Sequence, residues 1–202
     1  MNQPFQLLLA TANRGKVHEI RAVLSALPID ILDVRDLGLT LEIVEDGKTY
    51  AENAAKKAMA YAAASGLPAL ADDSGLEVDA LHGEPGIHSA RYSDLPNATD
   101  ADRRAFLLSR LQGKPRPWTA RFRCVLAFAQ PHQEVAFFEG LCEGEIIPEE
   151  RGSGGFGYDP IFLLPSLNLT MAELSRDQKN ALSHRGRALQ AFLPYLTRLL
   201  SL

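Results

Sequence analysis

Along this chain, apolar runs typical of strands alternate with segments whose apolar residues recur at helical spacing. The order of these segments limits the fold class. Residues 5–12 ("FQLLLATA") form a continuous apolar run, typical of a buried strand. A polar turn follows, and apolar residues then recur at helical spacing, at Val17, Ile20, Leu24 and Leu27. A strand, a turn and a helix in this order predict the start of an α/β fold.

The rest of the chain repeats this alternation and then changes style. Residues 49–66 predict a helix with a capping box formed by Thr49 and Glu52 and a stop at Gly66, and "LPALADD" predicts the next strand. "TDADRRAFLLSRLQG" predicts a third helix, with Thr99 or Asp100 as its cap. "WTARFRCVLAFAQ" and "EVAFFEGLCEGEI" predict two long antiparallel neighbours.

These elements together predict a mixed β-sheet with flanking helices. A short strand, "IFLL", and a last helix from about Ser183 complete the pattern, with Pro194 expected to kink or break that helix. No linker divides residues 1–202, so we expect a single domain. The change in style near residue 115 suggests two lobes within it.

Composition narrows the classes of function. The formal net charge is −4 and the sequence pI about 5.7, which disfavours a general binder of nucleic acid polymers or membrane surfaces. The opening residues lack the basic start of a signal peptide, and no apolar run reaches the ~18 residues of a membrane span. Two cysteines, Cys124 and Cys142, form no disulfide framework, and we expect a cytoplasmic, reducing location.

The turn "TANRGK" has the outline of a phosphate cradle. A strand-to-helix turn offers backbone N–H groups and the positive end of a helix dipole, and Thr11, Asn13 and Lys16 add side-chain donors. The P-loop pattern is absent, so an ordinary turn with a solvated lysine is the alternative.

Two adjacent carboxylates, Asp72 and Asp73, follow an apolar run and precede Ser74 and Gly75. Strand alternation predicts that the two acids point in different directions, and one of them can bind Mg²⁺ or accept a proton from water. Ser74 with Gly75 favours a tight turn, and a solvated turn is the alternative. Glu45, with Asp46 beside it, is a candidate for a further metal oxygen.

Two later segments also have unusual chemistry. "GSGGFGYDP" combines four glycines, two aromatic rings and an acid, which suits close approach of backbone to a ligand with a ring stacked on it. "KNALSHRGRA" places His184 and Arg185 in the first turn of a helix, where cations oppose the helix dipole. A flexible loop and a solvated cap are the alternatives, and His88 and Arg91 are interpreted as residues that fix a loop.

Six segments, in order, resemble the inosine triphosphatase family of noncanonical purine nucleoside triphosphate pyrophosphatases. They are "ATANRGKVHEI", "DGKTYAENAAKKA", "ADDSGLEVDALHGEPGIHSARYS", "ARFRCVLAF", "GSGGFGYDPIF" and "KNALSHRGRAL". The resemblance implies an elongated, curved mixed sheet with helices around it, two lobes and a central cleft. It also implies a homodimer that uses Mg²⁺ to hydrolyse ITP, dITP or XTP to the monophosphate and pyrophosphate.

The same resemblance implies roles for individual residues. Asp73 matches the catalytic acid and metal ligand, and Glu45 matches a second metal acid. The triphosphate turn matches Thr11, Ala12, Asn13, Arg14, Gly15 and Lys16, with Ala12 standing where many members have Gly or Asn. Substrate contacts match Ser74, Phe156, Gly157, Tyr158, Asp159 and Lys179, and the nucleobase contacts match His184 and Arg185.

Two rival functions remain at this point. A Maf-like nucleotide pyrophosphatase would have a similar fold and another base preference, although "SHRGRA" and "FGYDPIF" favour the inosine triphosphatase family. A nucleotide sensor that does not hydrolyse would have no need of Asp73. Release of pyrophosphate separates the sensor from either enzyme.

Overall fold

A seven-stranded mixed sheet runs through residues 4–201, which are the residues that the computed structural model describes. Its strands are β1 Phe5–Leu9, β2 Ile29–Asp33, β3 Ala69–Val78, β4 Trp118–Ala129, β5 Ala136–Ile146, β6 Phe162–Leu164 and β7 Leu169–Thr170. The α-helices are α1 Arg14–Leu24, α2 Tyr50–Ser65, α3 Asp100–Leu111, α4 Arg176–Leu182 and α5 His184–Leu199.

The strand order is β2-β1-β3-β4-β5-β6-β7, and the sheet is open. β1 pairs in parallel with β2, where Leu7 lies opposite Ile31, and with β3, where Leu8 lies opposite Ala69. β6 pairs antiparallel with β5 and with β7. The predicted mixed α/β sheet is therefore confirmed, and β4 and β5 are neighbours as expected.

The chain forms two compact units, each built from separate stretches of sequence. The first unit contains residues up to Asp73, Cys124–Gly140 and residues from Arg185 onward, and the second contains Ser74–Arg123 and Leu141–His184. The predicted change near residue 115 coincides with none of these boundaries.

Both faces of β1 are buried in the first unit, as expected for a parallel strand covered by helices. Leu7 and Leu9 pack on one face with α1 and α5, whereas Leu8 and Ala10 pack on the other with α2. Small side chains such as Ala54 and Ala58 are fully buried there, so α2 lies close to the sheet. Helices therefore cover both faces of β1.

The second unit has its own core. Leu76 and Val78 of β3 pack there with Leu107 of α3 and with Phe162 of β6. Tyr158 is only 5% exposed in this core, and its hydroxyl donates to the carbonyl oxygen of Ser89 at 2.9 Å. This anchors one end of the glycine-rich segment.

Local signals predicted most helix ends correctly. Thr49 Oγ1 accepts from the Glu52 amide at 3.1 Å, and Gly66 ends α2 with a φ of 72°. Glu52 itself accepts from the Lys48 amide at 2.7 Å rather than from Thr49, so only half of the predicted capping box forms. Thr99 caps α3 in a complete box with Asp102.

Three elements differ from the prediction. β3 continues through Ser74 and Gly75 to Val78, so the predicted tight turn after the two acids is wrong. α4 was not expected as a separate helix; a capping box of Ser175 and Gln178 begins it. α5 continues past Pro194 to Leu199, so the proline does not end it.

None of the helices within residues 4–201 is long and apolar enough to cross a membrane.

Candidate functional site

Asp73 lies in the middle of β3 and faces helix α2 of the first unit. Its Oδ1 accepts from Lys57 Nζ at 2.9 Å, and its Oδ2 lies 3.5 Å from Asn53 Nδ2. Asn53 and Lys57 are four residues apart and therefore share one face of α2. Asp73 is 7% exposed and is paired with Lys57.

Asp72 has different partners, as the alternation of side chains along a strand requires. It forms an ion pair with Lys16, accepts from Arg185 Nε at 2.7 Å and accepts from the Cys124 thiol at 3.2 Å. Arg185 is also paired with Glu19, one turn beyond Lys16 on α1. We call Lys16, Lys57, Asp72, Asp73 and Arg185 the first cluster.

The two acids of the first cluster have opposite proton affinities. Burial raises the pKa of Asp73 above its usual value, and Lys57 only partly opposes this. Burial acts on Asp72 in the same direction, but Arg185 and Lys16 outweigh it and hold the pKa of Asp72 well below its usual value. Asp73 is therefore the better proton acceptor, whereas Asp72 stays ionised beside its two cations.

Lys57 is held as a cation. Burial acts to lower its pKa, but the charges of Asp73, Glu45 and Asp72 outweigh this, so the pKa of Lys57 is raised. Its Nζ lies 3.4 Å from Glu45 Oε1 as well as 2.9 Å from Asp73. One ammonium group thus lies between two carboxylates.

That arrangement fits a site for Mg²⁺. Within residues 4–201 no three His, Cys, Asp or Glu side chains form a group that could hold a metal ion. Mg²⁺ does not need such a cage, because it commonly takes one or two carboxylates and completes its shell with water and substrate phosphates. Asp73 and Glu45 converge on one cation and are the residues suited to it, whereas Asp46 is paired with Lys56.

The strand-to-helix turn after β1 is shaped by its own side chains. Asn13 caps α1 by accepting from the Lys16 amide at 3.1 Å, and Thr11 Oγ1 accepts from the Asn13 amide at 3.2 Å. Thr11 and Asn13 were predicted as donors, but here their oxygens act as acceptors. Of the other residues in this turn, Ala12 accepts a hydrogen bond from Arg35 through its carbonyl oxygen. Arg14 and Gly15 are the first two residues of α1.

In the second unit, the glycine-rich segment is organised by Asp159. Its Oδ2 accepts from the Phe156 amide at 2.8 Å and from Lys179 Nζ at 2.6 Å. The Lys179 ammonium also lies 4.9 Å from the centre of the Phe156 ring, within range of a cation–π contact. We call Phe156, Asp159 and Lys179 the second cluster.

Gly155 is required by this geometry. Its φ is +71°, and a Cβ at this position would collide with the Asp159 carboxylate. The close approach seen here is to the Asp159 carboxylate, and the predicted approach of this backbone to a ligand stays a prediction.

The boundary between the two units falls between His184 and Arg185, both of which were predicted to contact the nucleobase. His184, in the second unit, is 5% exposed and stacks on Phe122 with 4.7 Å between ring centres. Arg185, in the first unit, is 1% exposed and bonded to Asp72 and Glu19. Contact of either residue with a base stays a prediction, as do the substrate contacts assigned to Ser74, Gly157 and Tyr158.

Sequence reasoning missed Asn53, Lys57 and Glu19. The four-residue spacing of Asn53 and Lys57 on an Ala-rich helix was a usable signal, because it places a polar pair on a face that is otherwise small and apolar. Glu19 had no local signal: it meets Arg185, which lies 166 residues further along the chain.

Known proteins resemble this chain over nearly its whole length. Residues 7–195 match the sequence model of the Ham1 family. The dITP/XTP pyrophosphatase of Desulforamulus reducens is 48% identical over 195 residues, covering 96% of this chain and 96% of its own. The dITP/XTP pyrophosphatase of Geobacter sulfurreducens is 50% identical over 192 residues, covering 95% and 96% respectively.

A solved structure also has a closely similar fold. The HAM1 protein from Coxiella burnetii aligns with a TM-score of 0.87 at 42% identity, covering 96% of this chain and 99% of that one. The matched stretch 7–195 contains every residue of the first and second clusters.

Proposed function

This chain belongs to the Ham1 family, and from that premise we propose that it hydrolyses noncanonical purine nucleoside triphosphates. The substrates are dITP, XTP and ITP, and the products are the nucleoside monophosphate and pyrophosphate. Such a reaction removes altered purines from the nucleotide pool. The names of the relatives support the substrate class, and the first cluster supports the hydrolysis.

One observation carries the hydrolytic part of the proposal: Asp73 is a buried carboxylate with a raised pKa beside a fixed cation. A base whose pKa is raised towards the working pH takes a proton from water more readily. Water then attacks the α-phosphorus, the bond from that phosphorus to the bridging oxygen breaks, and pyrophosphate leaves. The proton lost by the water goes to Asp73.

Charge compensation is the second requirement, because a triphosphate repels an incoming nucleophile. We propose Asp73 and Glu45 as the carboxylates that hold Mg²⁺, which when bound would neutralise phosphate charge. Lys16 and the amino end of α1 are proposed to bind phosphate oxygens. Asp72 supports phosphate binding by holding Lys16 in place. The carboxylate and the carbonyl oxygen of Asp72 both contact the Lys16 ammonium group at the strand.

Recognition of the base is proposed for Phe156 together with polar groups that distinguish one purine from another. The Phe156 ring offers a face on which a purine stacks, and it does so equally for all purines. The choice among purines therefore needs polar groups that read the 6-oxo position, and His184 and Arg185 remain the candidates. A site built for an acceptor rejects the 6-amino group of adenine, because its donors would be left unpaired. Guanine shares the 6-oxo group, so its rejection needs donors that face the 2-position, where guanine has an amino donor, xanthine an acceptor and hypoxanthine only hydrogen.

A panel of triphosphates tests the function. Pyrophosphate release is measured for dITP, XTP, ITP, GTP and ATP, each with and without Mg²⁺. We expect kcat/KM for dITP, XTP and ITP to exceed that for ATP and GTP by roughly 10²-fold, and the activity to need the metal. Equal use of GTP or ATP would instead favour a Maf-like base preference, and binding without release of pyrophosphate would make the protein a sensor.

Two further properties complete the proposal. We expect the protein to act in the cytoplasm, where the nucleotide pool is, and to form a homodimer. Sedimentation equilibrium at several protein concentrations measures the assembly, and a single species of 22.1 kDa would contradict the dimer.

A further inference from the structure

We propose that Asp100 and Arg104 of helix α3 are positioning residues for the Phe156 ring, acting through the backbone of Gly157. This inference rests on the proposed function, since it concerns how the stacking face for the base is held. Neither residue is expected to touch substrate.

Asp100 and Arg104 each bind one backbone group of Gly157, its amide and its carbonyl oxygen respectively. Asp100 Oδ2 accepts from the Gly157 amide at 2.7 Å, and Arg104 Nη1 donates to the Gly157 carbonyl oxygen at 2.8 Å. Asp100 and Arg104 are four residues apart, so they project from the same face of α3. We call this pair the α3 clamp.

The α3 clamp is itself fixed. Arg104 donates to both carboxylate oxygens of Glu150, at 2.8 and 2.9 Å, which is the bidentate geometry that holds a guanidinium plane. Asp100 Oδ1 accepts from Arg103 at 2.5 Å. Although burial acts to raise the pKa of Asp100, Arg103 and the Gly157 amide outweigh it, so the pKa is lowered and the carboxylate stays ionised.

Phe156 therefore has a carboxylate on each side of it along the backbone. Its own amide is held by Asp159 at 2.8 Å, and the amide that follows it is held by Asp100 at 2.7 Å. Two fixed peptide planes determine the direction in which the Cα–Cβ bond leaves the chain. The ring direction is thus set from α3 and from the second cluster together.

The glycine-rich segment depends on the α3 clamp because it has no regular secondary structure of its own. Residues 147–158 form no helix or strand, and Gly152, Gly155 and Gly157 all have positive φ. Glycine loses more conformational freedom on ordering than any other residue. Ordering the segment before the nucleotide arrives removes that cost from binding.

Three variants test the clamp. Arg104→Met and Asp100→Ala are each expected to raise KM for dITP, XTP and ITP alike by roughly five- to tenfold, the scale of one lost hydrogen bond. We expect kcat to stay within about twofold, because the groups that act on phosphorus are unchanged. Asp100→Asn keeps an oxygen that can accept from Gly157, so it should restore most of the wild-type KM.

Asp102→Ala is the matched control. Asp102 lies on the same turn of α3 and closes the capping box through Thr99, without contacting the glycine-rich segment in any bond described for residues 4–201. It should lower the melting temperature and leave KM unchanged. If Asp102→Ala raises KM as much as Asp100→Ala does, the effect comes from helix stability and the clamp is refuted.

A double-mutant cycle gives the second test. In a Phe156→Leu background the stacking ring is gone, so Arg104→Met should raise KM by less than about twofold further. A full additional five- to tenfold rise there would overturn the proposal, since the clamp would then act without the ring.

Failure of the proposed function can be told apart from failure of the clamp. If the wild type releases no pyrophosphate, the hydrolytic function is wrong, and calorimetric binding of dITP to wild type and Arg104→Met still measures the clamp. A dissociation constant unchanged by Arg104→Met would refute it; a rise of roughly five- to tenfold would support it.

Discussion

Asp72 and Asp73 are adjacent and chemically identical, yet their neighbours give them opposite proton affinities. Asp72 meets two cations, Lys16 and Arg185, and its pKa falls; Asp73 meets one, Lys57, and burial raises its pKa. The pair resembles other sites in which two carboxylates are assigned different tasks by their surroundings. Asp72 is suited to hold Lys16 and Arg185 in place, and Asp73 is suited to take a proton.

Replacing each acid by its amide should separate the two tasks. Asp73→Asn is near-isosteric and removes a proton acceptor, so we expect kcat to fall by about 10²-fold or more with little change in melting temperature. Asp72→Asn leaves Lys16 and the buried Arg185 without the charge of Asp72, so it should cost about 3–5 kcal/mol of unfolding free energy. Activity within threefold of wild type in Asp73→Asn, or its unfolding, would remove the role given to Asp73.

Lys57 should set the pH at which Asp73 loses its proton. Because the Lys57 cation opposes the effect of burial on Asp73, Lys57→Met should raise the pKa of Asp73 further. The acid limb of kcat/KM should then move to higher pH.

Lys56→Met is the matched control for that measurement. Lys56 is the next residue along, but it pairs with Asp46 on the surface. Its removal should leave the acid limb where it is. An acid limb unmoved by Lys57→Met would mean that the group titrating in the profile is not Asp73.

At the scale of elements, the helices and strands that could be predicted are those whose signals lie in the local sequence. α2 and α3 have capping residues at their starts, β1 is a continuous apolar run and α1 shows helical periodicity, so the sequence alone places them. The end of β3 could not be placed this way, because Asp, Ser and Gly favour turns. β3 lies between β1 and β4, and pairing with neighbouring strands overrides that preference.

The glycine-rich segment offers a prediction at the same scale. Gly155→Ala forces a positive φ on alanine and drives a methyl group into the Asp159 carboxylate that holds Phe156. We expect a loss of roughly 1–3 kcal/mol in stability and about a tenfold rise in KM for every purine triphosphate.

Gly66→Ala supplies the comparison. Gly66 has a φ of +72°, but a Cβ there would meet nothing within 4 Å. This variant should show the backbone cost alone, with KM unchanged. A KM unaffected by Gly155→Ala as well would show that the segment does not hold the base.

At the scale of the whole molecule, the clusters join residues that are far apart in sequence. Arg185 and Asp72 are separated by 113 positions, and Gly157 and Asp100 by 57. The residues could be nominated from motifs, but their partners depend on how distant segments return to one unit. This explains why Asp73 could be nominated from its motif, whereas Glu19 and the α3 clamp could not be found from the sequence. Lys57 had a local signal, its four-residue spacing from Asn53, which the motifs did not use.

Those long-range ion pairs should also determine how the protein unfolds in acid. The folded pKa of Asp72 lies well below its unfolded value of 3.8, so above that value the carboxylate contributes its full stabilisation. As pH falls from there through the folded pKa, the unfolded state binds a proton that the native state refuses, and the stabilisation is lost. Asp73 has the opposite sign: its raised folded pKa stabilises below 3.8 and that contribution is lost as pH rises through the folded value.

Melting temperatures recorded from about pH 7 down to about pH 1.5 test this assignment. The wild type should lose stability steeply at the acid end of the range. Asp72→Asn should begin lower near neutral pH and fall less steeply, because the titrating group is gone while the destabilised cations remain. Asp73→Asn should keep the steep acid fall. If Asp72→Asn loses stability in acid as steeply as the wild type, the acid sensitivity arises elsewhere and Asp72 is not the ionised centre of the first cluster.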